Sequence, residues 1–472
     1  LSGEDAYRSM THVRDDLQLM LEKPTIYLYD QDMGKISTTG LHLDDTIFGR
    51  HEELYSLKEC YERSVSGDTE FALISGHAGI GKSFLAYEFG KHVKLSGGIF
   101  LSGKFDQLQQ GKPFSALATA FNRYCDMLLR NSELQPVREA MASKLKSLGR
   151  DVYYLTKIMP CLSFILGSDQ NDMFCDGDCV NAQRRLQYLL CQLVEILSSS
   201  SAAPVTLFLD DLQWADAASI AAVSKLLLNT GSSSQQKRFF FLGCHREGTI
   251  DSGHPLWKLV RDAELVGVSC ASLKLGCMEE ETLNTMVSES LCVLPRLTRT
   301  LSNVIYRKTI GNPLFVCRLL LSLSKERLLY PSLSRRRWEW DEEKVMSQKL
   351  PDDVALFLTQ SIVDLPTDVK TSLFHFSCFG SSADVAFVNT LERAFDMRVL
   401  RENLDIAVDE GLLEKTGDQY RFSHDRIQEA AYNTVSADER CLVHILYGMA
   451  LASLSARESD DSILFTAANQ LN

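Results

Sequence analysis

The chain has 472 residues, enough for two to four domains at about 100 to 200 residues per domain. Its apolar fraction of 45% and charged fraction of 24% are ordinary for folded globular proteins and exclude a disordered chain. A net charge of −13 disfavours a surface that binds a nucleic-acid backbone, and no apolar run reaches the about 18 residues that a membrane span needs.

The 13 cysteines are scattered and odd in number, which is typical of reduced thiols in a cytoplasmic protein. One pair, Cys175 and Cys179, lies close together, but no second Cys or His pair stands at metal-ligand spacing, so we interpret it as a loop. No signal-peptide pattern opens the chain. We therefore expect a soluble, cytoplasmic protein, and because the first residue is Leu1 we expect a piece of a longer one.

Hydrophobic patterning predicts five regions along the chain. Residues 1–45 hold one amphipathic stretch and turn-rich sequence, which suit a linker or docking arm. Residues 46–250 alternate short apolar runs with long amphipathic stretches, the pattern of an α/β core with a parallel sheet. Residues 251–350 are predicted to form a small helical lid that ends in an aromatic hairpin. Residues 351–437 suit a winged helix, and residues 438–472 the start of a helical repeat region.

Five strands of the sheet are predicted from apolar runs bounded by Gly, Ser or Asp, at 71–75, 98–103, 205–210, 239–244 and 271–275. Helices are predicted between them, among others at 115–129 and 182–197. In the second of these, leucines recur at helical spacing on one face, which predicts a stripe packed against the sheet. These leucines are Leu186, Leu189, Leu190, Leu193 and Leu197.

The clearest motif is GHAGIGKS at residues 76–83, which fits GxxxxGK[ST] between an apolar strand and an amphipathic helix. Glycines allow the backbone to fold around phosphates, a lysine neutralises the β and γ oxygens, and a serine hydroxyl binds Mg²⁺. A plain glycine turn would not need Lys82. The motif predicts a P-loop that binds ATP through the residues Gly76, His77, Ala78, Gly79, Ile80, Gly81, Lys82, Ser83 and Phe84.

A second motif, LFLDD at residues 207–211, is an apolar strand that ends in two carboxylates. At the carboxyl end of a neighbouring strand, Asp210 is expected to hold Mg²⁺ and Asp211 to orient or deprotonate the attacking water. An apolar run ending in two Asp residues is weak evidence by itself, since many strands end in a turn Asp. After a P-loop it predicts a Walker B strand.

These and four further motifs together resemble the STAND branch of AAA-related P-loop ATPases, as found in large serine/threonine and hybrid histidine kinases. FLDDLQWAD at 208–216 matches the signature of that branch, and FGRHEEL at 48–54 resembles its GRExE element, with His51 where Glu is usual. KTIGNPLF at 308–315 resembles the GNP motif of the helical lid, and FSHD at 422–425 the His-Asp motif of the winged helix. GKFDQ at 103–107 resembles a segment of the kinase-linked modules.

The resemblance implies roles for further residues. Gly49 and Arg50 would line the adenine side, Pro313 would pack on the base, Arg246 would sense the γ-phosphate, and His424 would contact the β-phosphate of ADP. Three of these residues have a structural alternative: a surface arginine at 246, a helix-entry proline at 313 and a capped helix start at 424. The implied catalytic set is Asp211, Lys82 and Arg246, with Ser83 and Asp210 on Mg²⁺.

Two classes of function are compatible with these motifs. The first is a slow ATP-hydrolysing switch, linked to or associated with signalling domains such as a kinase or cyclase and able to self-associate. The alternative is a DNA-contacting AAA-type initiator or regulator that uses the winged helix. The candidate recognition helix at 398–410 has more acidic than basic residues, and we interpret Arg335 to Arg337 as a solvated hairpin edge rather than a groove contact. Nucleic acid is therefore not the expected partner.

Overall fold

The structure is a computed structural model. It describes residues 7, 9–28, 41, 43, 46–67, 70–106, 113–167, 179–200, 203–228, 239–332, 337–347, 362–363, 365–423, 425–458, 466–468 and 470–471. Cys175, Arg335, Arg336 and His424 lie outside these residues.

The strands of the described residues are β1 (Glu70–Gly76), β2 (Ile99–Lys104), β3 (Val205–Asp210), β4 (Phe239–Arg246), β5 (Ser269–Leu275), β6 (Leu329–Ser332), β7 (Arg337–Trp340), β8 (Ser382–Asp384), β9 (Leu413–Thr416) and β10 (Gln419–Phe422).

The α-helices of the described residues are α1 (Met10–Glu22), α2 (Pro24–Tyr27), α3 (His51–Ser66), α4 (Lys82–Leu95), α5 (Ser115–Arg130), α6 (Gln135–Ser147), α7 (Tyr153–Ile158), α8 (Pro160–Leu166), α9 (Cys179–Ser200), α10 (Ala217–Leu228), α11 (Pro255–Val266), α12 (Glu280–Leu291), α13 (Pro295–Thr309), α14 (Pro313–Lys325), α15 (Glu342–Ser347), α16 (Thr367–Ser377), α17 (Val385–Phe395), α18 (Leu400–Asp409), α19 (Asp425–Tyr432) and α20 (Ala437–Glu458).

The chain divides into two compact units. The first comprises Leu1–Leu54, His77–Leu85 and Leu275–Val354, and the second comprises Tyr55–Gly76, Ala86–Lys274 and Ala355–Asn472. Within the described residues, no helix combines the length and the apolar character that crossing a membrane requires.

The second unit contains a five-stranded sheet in the order β2-β3-β4-β1-β5, and β1 to β4 pair in parallel. All six residues of β3 are buried, as expected for a parallel strand covered by helices on both faces. The predicted α/β class is therefore confirmed. The leucine stripe of α9 is also confirmed, because its five leucines are at most 8% exposed and belong to the core on one side of the sheet.

Strand ends differ from the sequence prediction where pairing extends a strand. β2 ends at Lys104 rather than residue 103, because Lys104 pairs in register with Asp210 of β3. β4 ends at Arg246 rather than residue 244, because Arg246 pairs with Gly76 of β1. Both extensions bring a cationic residue to the carboxyl edge of the sheet.

The second unit also contains a C-terminal group of elements, which we call the C-terminal domain: α16 to α18 and an antiparallel sheet in the order β8-β10-β9. Leu373, Leu404 and Tyr420 are fully buried in it. Three helices and a β-ribbon agree with the sequence-based interpretation of a winged helix, which stays a prediction.

The first unit is built around α12, α13 and α14, which we call the lid helices, with the β6-β7 hairpin beside them. Leu283, Leu319 and Trp338 belong to one buried core there. The N-terminal helix α1 packs against the lid helices, because the side chain of Arg296 contacts Asp16 with 3.3 Å between Nε and Oδ2.

Candidate functional site

The predicted phosphate loop follows β1 directly and ends where α4 begins at Lys82. Lys82 is 7% exposed, and its Nζ donates to the carbonyl of His77 at 2.9 Å. Its ammonium group is therefore folded back over its own loop. Ser83 is half-buried, whereas Phe84 is exposed.

The loop has room for an anion at Gly81. This residue has φ +96, and a Cβ built on it would meet no atom of the described residues within 4 Å. An open concave backbone beside an ammonium group suits phosphate, because N–H groups and the cation can both face it. The hydroxyl of Ser83 and the carboxylate of Asp210 are oxygen ligands of the kind that Mg²⁺ prefers. Lys82 and Ser83 of the loop therefore have the chemistry to hold the phosphates and Mg²⁺ of a nucleotide, and Asp210 has the chemistry of a magnesium ligand.

The first residues of α14 contact the phosphate loop. Asn312 Nδ2 donates to the carbonyl of Ala78 at 3.1 Å, and the backbone N–H of Leu314 donates to the carbonyl of Gly79 at 3.2 Å. Pro313 lies between them as the first residue of the helix, a position that needs no N–H donor. The predicted GNP motif is thus joined to the loop by two hydrogen bonds.

Gly49 and Arg50 lie in the same compact unit as the phosphate loop. Arg50 is 9% exposed, pairs with Glu53 at 3.1 Å and donates to the carbonyl of Gly276. A Cβ on Gly49 would collide with the side chain of Thr282, so the backbone packs closely on α12. The structure gives these two residues a packing role, and their predicted contact with adenine stays a prediction.

The two carboxylates end the third strand. Asp210 is 2% exposed and Asp211 is 6% exposed, so both are buried. Asp211 adopts the left-handed conformation with φ 54 and ψ 48, which is uncommon for a residue with a side chain. Its Oδ1 accepts from Gln213 Nε2 at 2.7 Å, and its Oδ2 lies 3.1 Å from Nζ of Lys104. Asp211 is therefore held by several partners.

Arg246 also lies beside Asp211. Its Nε is 3.9 Å from Asp211 Oδ1, and its backbone N–H donates to Gln213 Oε1 at 3.1 Å. Because Arg246 pairs with Gly76 across β4 and β1, the start of the phosphate loop and the two carboxylates share the carboxyl edge of the sheet. The structure thus brings together Gly76, Asp211 and Arg246.

A further arginine, in the C-terminal domain, interacts electrostatically with Asp210. Arg421 of β10 donates a side-chain hydrogen bond to Tyr87 and interacts electrostatically with Asp210. Burial alone would lower the pKa of Arg421, but Tyr87 and the Asp210 carboxylate outweigh that effect and raise it. Tyr87 in turn packs edge-on against Phe208 of β3, with ring centres 5.4 Å apart.

Two other hydrogen bonds fasten the C-terminal domain beside these residues. The backbone N–H of Ser381 donates to Asp106 Oδ2 at 2.6 Å, and Arg123 Nη2 donates to Gln419 Oε1 at 3.1 Å. Asp106 follows β2 and Arg123 lies on α5. Arg421 therefore belongs to a surface of the C-terminal domain that makes several contacts with the region around β2 and α5.

Sequence reasoning missed four of the residues in these contacts. Lys104 and Asn312 stood in motifs without an assigned role, Gln213 stood in the signature of the third strand, and Arg421 immediately preceded the predicted His-Asp motif. Their position beside a motif was the available signal. Lys104, Asn312 and Arg421 have partners that are distant in sequence, whereas Gln213 contacts Asp211 two residues away. The predicted role of His424 falls outside the described residues.

Comparisons with known proteins agree with the motifs. Residues 46–241 match the family model described as AAA ATPase domain. The hybrid signal transduction histidine kinase G of Dictyostelium discoideum is 24% identical over 512 aligned residues, which cover 87% of this chain. The chain spans 14% of the length of that relative.

Solved structures with low similarity were also found. The STAND protein with a tetratricopeptide repeat sensor from Pyrococcus horikoshii is 14% identical, with 92% of this chain and 49% of that chain covered and a TM-score of 0.44. The RuvB Holliday junction branch migration motor of Thermotoga maritima is 12% identical, with 83% and 98% covered and a TM-score of 0.31. Residues 46–241, less than half of the chain, are thus similar to the AAA ATPase domain family, in agreement with the motifs.

Proposed function

We propose that the chain is an ATP-binding and slowly ATP-hydrolysing switch module of a multidomain signalling protein. This proposal rests on the contacts that the side chain of Asp211 makes. Its buried carboxylate contacts Lys104 and Gln213 and lies 3.9 Å from Arg246, at the sheet edge where the phosphate loop begins. The family of residues 46–241 supports ATP as the nucleotide.

Binding of ATP would use the loop and its lysine. The N–H groups of the loop, together with the start of α4, present positive charge to the phosphates. Lys82 would leave the carbonyl of His77 and neutralise the β and γ oxygens. Ser83 and Asp210 would hold Mg²⁺, which when bound shields the negative charge of the phosphates.

Asp211 would orient the attacking water. Its carboxylate is held in one orientation by Lys104 and Gln213, as a group that positions or deprotonates a water requires. Gln213 fixes the carboxylate through one hydrogen bond and the backbone of Arg246 through another. Arg246 would then meet negative charge that develops on the γ-phosphate.

The switch would depend on the C-terminal domain, which places Arg421 near the Asp210 carboxylate. A guanidinium group and Mg²⁺ compete for the same carboxylate, so docking of this domain disfavours loading with Mg·ATP. The histidine kinase relative supports linked or associated kinase or cyclase domains as partners, and its greater length leaves room for them. Self-association of the module on loading is part of the same proposal.

The surface of the C-terminal domain does not favour DNA binding. On α18 the exposed residues include Arg401, Glu402 and Asp409, so acid outnumbers base, and Asp405 is engaged by Lys415 with 2.7 Å between Oδ1 and Nζ. A helix that enters a DNA groove needs cations on its exposed face.

Phosphate release from ATP tests the proposal. The purified chain should release phosphate slowly in the presence of Mg²⁺, and the Asp210→Ala variant should show a large loss. Trp214→Phe is a matched control, because it changes a residue next to the third strand without removing a carboxylate. If the chain releases no phosphate above the level of the Asp210→Ala variant, the hydrolytic part of the proposal is wrong.

A further inference from the structure

The side chain of Asn312 performs two tasks at the start of α14. Its Oδ1 accepts from the backbone N–H of Phe315 at 3.4 Å, which caps the helix, and its Nδ2 donates to the carbonyl of Ala78 at 3.1 Å. A serine or an aspartate could cap the helix equally well. Aspartate has no donor for the loop and serine is too short to reach it, whereas the Asn amide has an acceptor for the helix and a separate donor for the carbonyl of Ala78.

A second hydrogen bond holds the next carbonyl of the loop. The N–H of Leu314 donates to the carbonyl of Gly79 at 3.2 Å. A Cβ on Gly79, which has φ +75, would lie 2.9 Å from Leu314 Cβ and 3.0 Å from Asn312 Oδ1. The loop and the helix therefore pack without space for a side chain, and the contact is specific.

These two carbonyl contacts determine where the N–H groups of the loop point. A trans peptide unit is planar, so its C=O and the N–H of the next residue point in opposite directions. When Asn312 binds the carbonyl of Ala78, the N–H of Gly79 turns away from α14. When Leu314 binds the carbonyl of Gly79, the N–H of Ile80 turns away in the same manner.

We propose that Asn312 is a positioning residue that presets the phosphate loop, so that the N–H groups of Gly79 and Ile80 face the phosphates before the nucleotide arrives. The inference rests on the proposed function. The same contacts link the lid helices to the nucleotide: a displacement of α14 releases both carbonyls and allows the two peptide units to rotate. By linkage, a bound phosphate then favours the docked position of α14.

The variant Asn312→Asp separates the two tasks of the side chain. Aspartate keeps the capping acceptor but has no donor for Ala78, so the melting temperature should stay close to that of the wild type. Affinity for ADP and for a non-hydrolysable ATP analogue, measured by isothermal titration, should fall about tenfold, because the released peptide units of the loop must be reoriented before the phosphates bind. Hydrogen exchange of residues 77–85 in the nucleotide-free protein should become faster.

Two further variants make the result interpretable. Asn131→Asp introduces the same charge at another helix start, where Asn131 accepts from Glu133 in an exposed position, and it should leave affinity unchanged. Asn312→Ser caps the helix without adding charge and is too short to reach Ala78, so it should also lose affinity.

Wild-type affinity and wild-type exchange in both Asn312→Asp and Asn312→Ser would overturn the positioning role. The proposed function would survive that outcome if the Lys82→Ala variant still fails to bind nucleotide. Absence of binding in the wild-type chain would instead overturn the proposed function itself.

Discussion

Lys104 Nζ lies 3.1 Å from Oδ2 of Asp211, and the two side chains are 21% and 8% exposed. The pair joins the end of β2 to the residue after β3. Breaking a buried ion pair by removing one partner is costly, because the other charge stays behind without full compensation. At Asp211, Gln213 and Arg246 would compensate part of that loss.

The first prediction concerns this ion pair. Lys104→Met should lower the free energy of unfolding by about 1 to 3 kcal/mol in urea titrations at pH 7, since the remaining partners only partly stabilise the carboxylate. The double variant Lys104→Met with Asp211→Asn should lose less than the sum of the two single variants. Additive losses would mean that the two side chains do not interact.

The second prediction concerns the role of Asp211. Asp211→Asn keeps the size of the side chain and should leave binding of Mg·ATP through Ser83 and Asp210 in place. Phosphate release should slow by about 10² to 10⁴, the usual contribution of a group that positions or activates the nucleophile. Titration calorimetry and single-turnover hydrolysis would measure the two effects separately. A joint loss of binding and turnover would assign Asp211 as the principal magnesium ligand instead.

The third prediction concerns Arg421. Arg421→Gln removes the cation near Asp210, so Mg²⁺ should bind the nucleotide-loaded protein more tightly. Each 1.4 kcal/mol by which the guanidinium group disfavours Mg²⁺ binding corresponds to about a tenfold gain in affinity. Arg401→Gln removes an exposed arginine of the same domain and serves as the control. Weaker binding of Mg·ATP in Arg421→Gln would show that this arginine assists binding and does not compete.

The docking contacts allow an independent check of that prediction. Asp106→Ala removes the acceptor for the backbone N–H of Ser381 and should loosen the C-terminal domain without changing Arg421. Its effect on Mg²⁺ affinity should have the same sign as that of Arg421→Gln. Opposite signs would separate the position of the domain from the charge near Asp210.

Local sequence patterns predicted the sheet and the loop because their physical causes are local. β3 is buried along its whole length, so its apolar run is visible in the sequence, and the phosphate loop needs glycines at fixed spacing. The strand ends at Lys104 and Arg246 were less predictable, because pairing with a neighbouring strand determines them. Propensity alone carries no information about that register.

The contacts around the carboxylates depend on tertiary structure. Lys104 and Asp211 are more than a hundred residues apart, and the electrostatic interaction of Arg421 with Asp210 depends on the packing of the C-terminal domain through contacts such as that of Ser381. The sequence alone identifies the carboxylates, but it does not identify the cationic side chains that contact them. The predicted contact of His424 with ADP stays a prediction from the motif.

The proposed function depends first on binding of ATP by the loop at residues 76–83. The most direct measurement is isothermal titration of the purified chain with ATP and Mg²⁺, compared with the Lys82→Ala variant. Lys82 is the lysine of the motif and is expected to neutralise the β and γ phosphates, so we expect saturable binding by the wild type and loss of tight binding in the variant. Equal affinity of the wild type and the Lys82→Ala variant would contradict it.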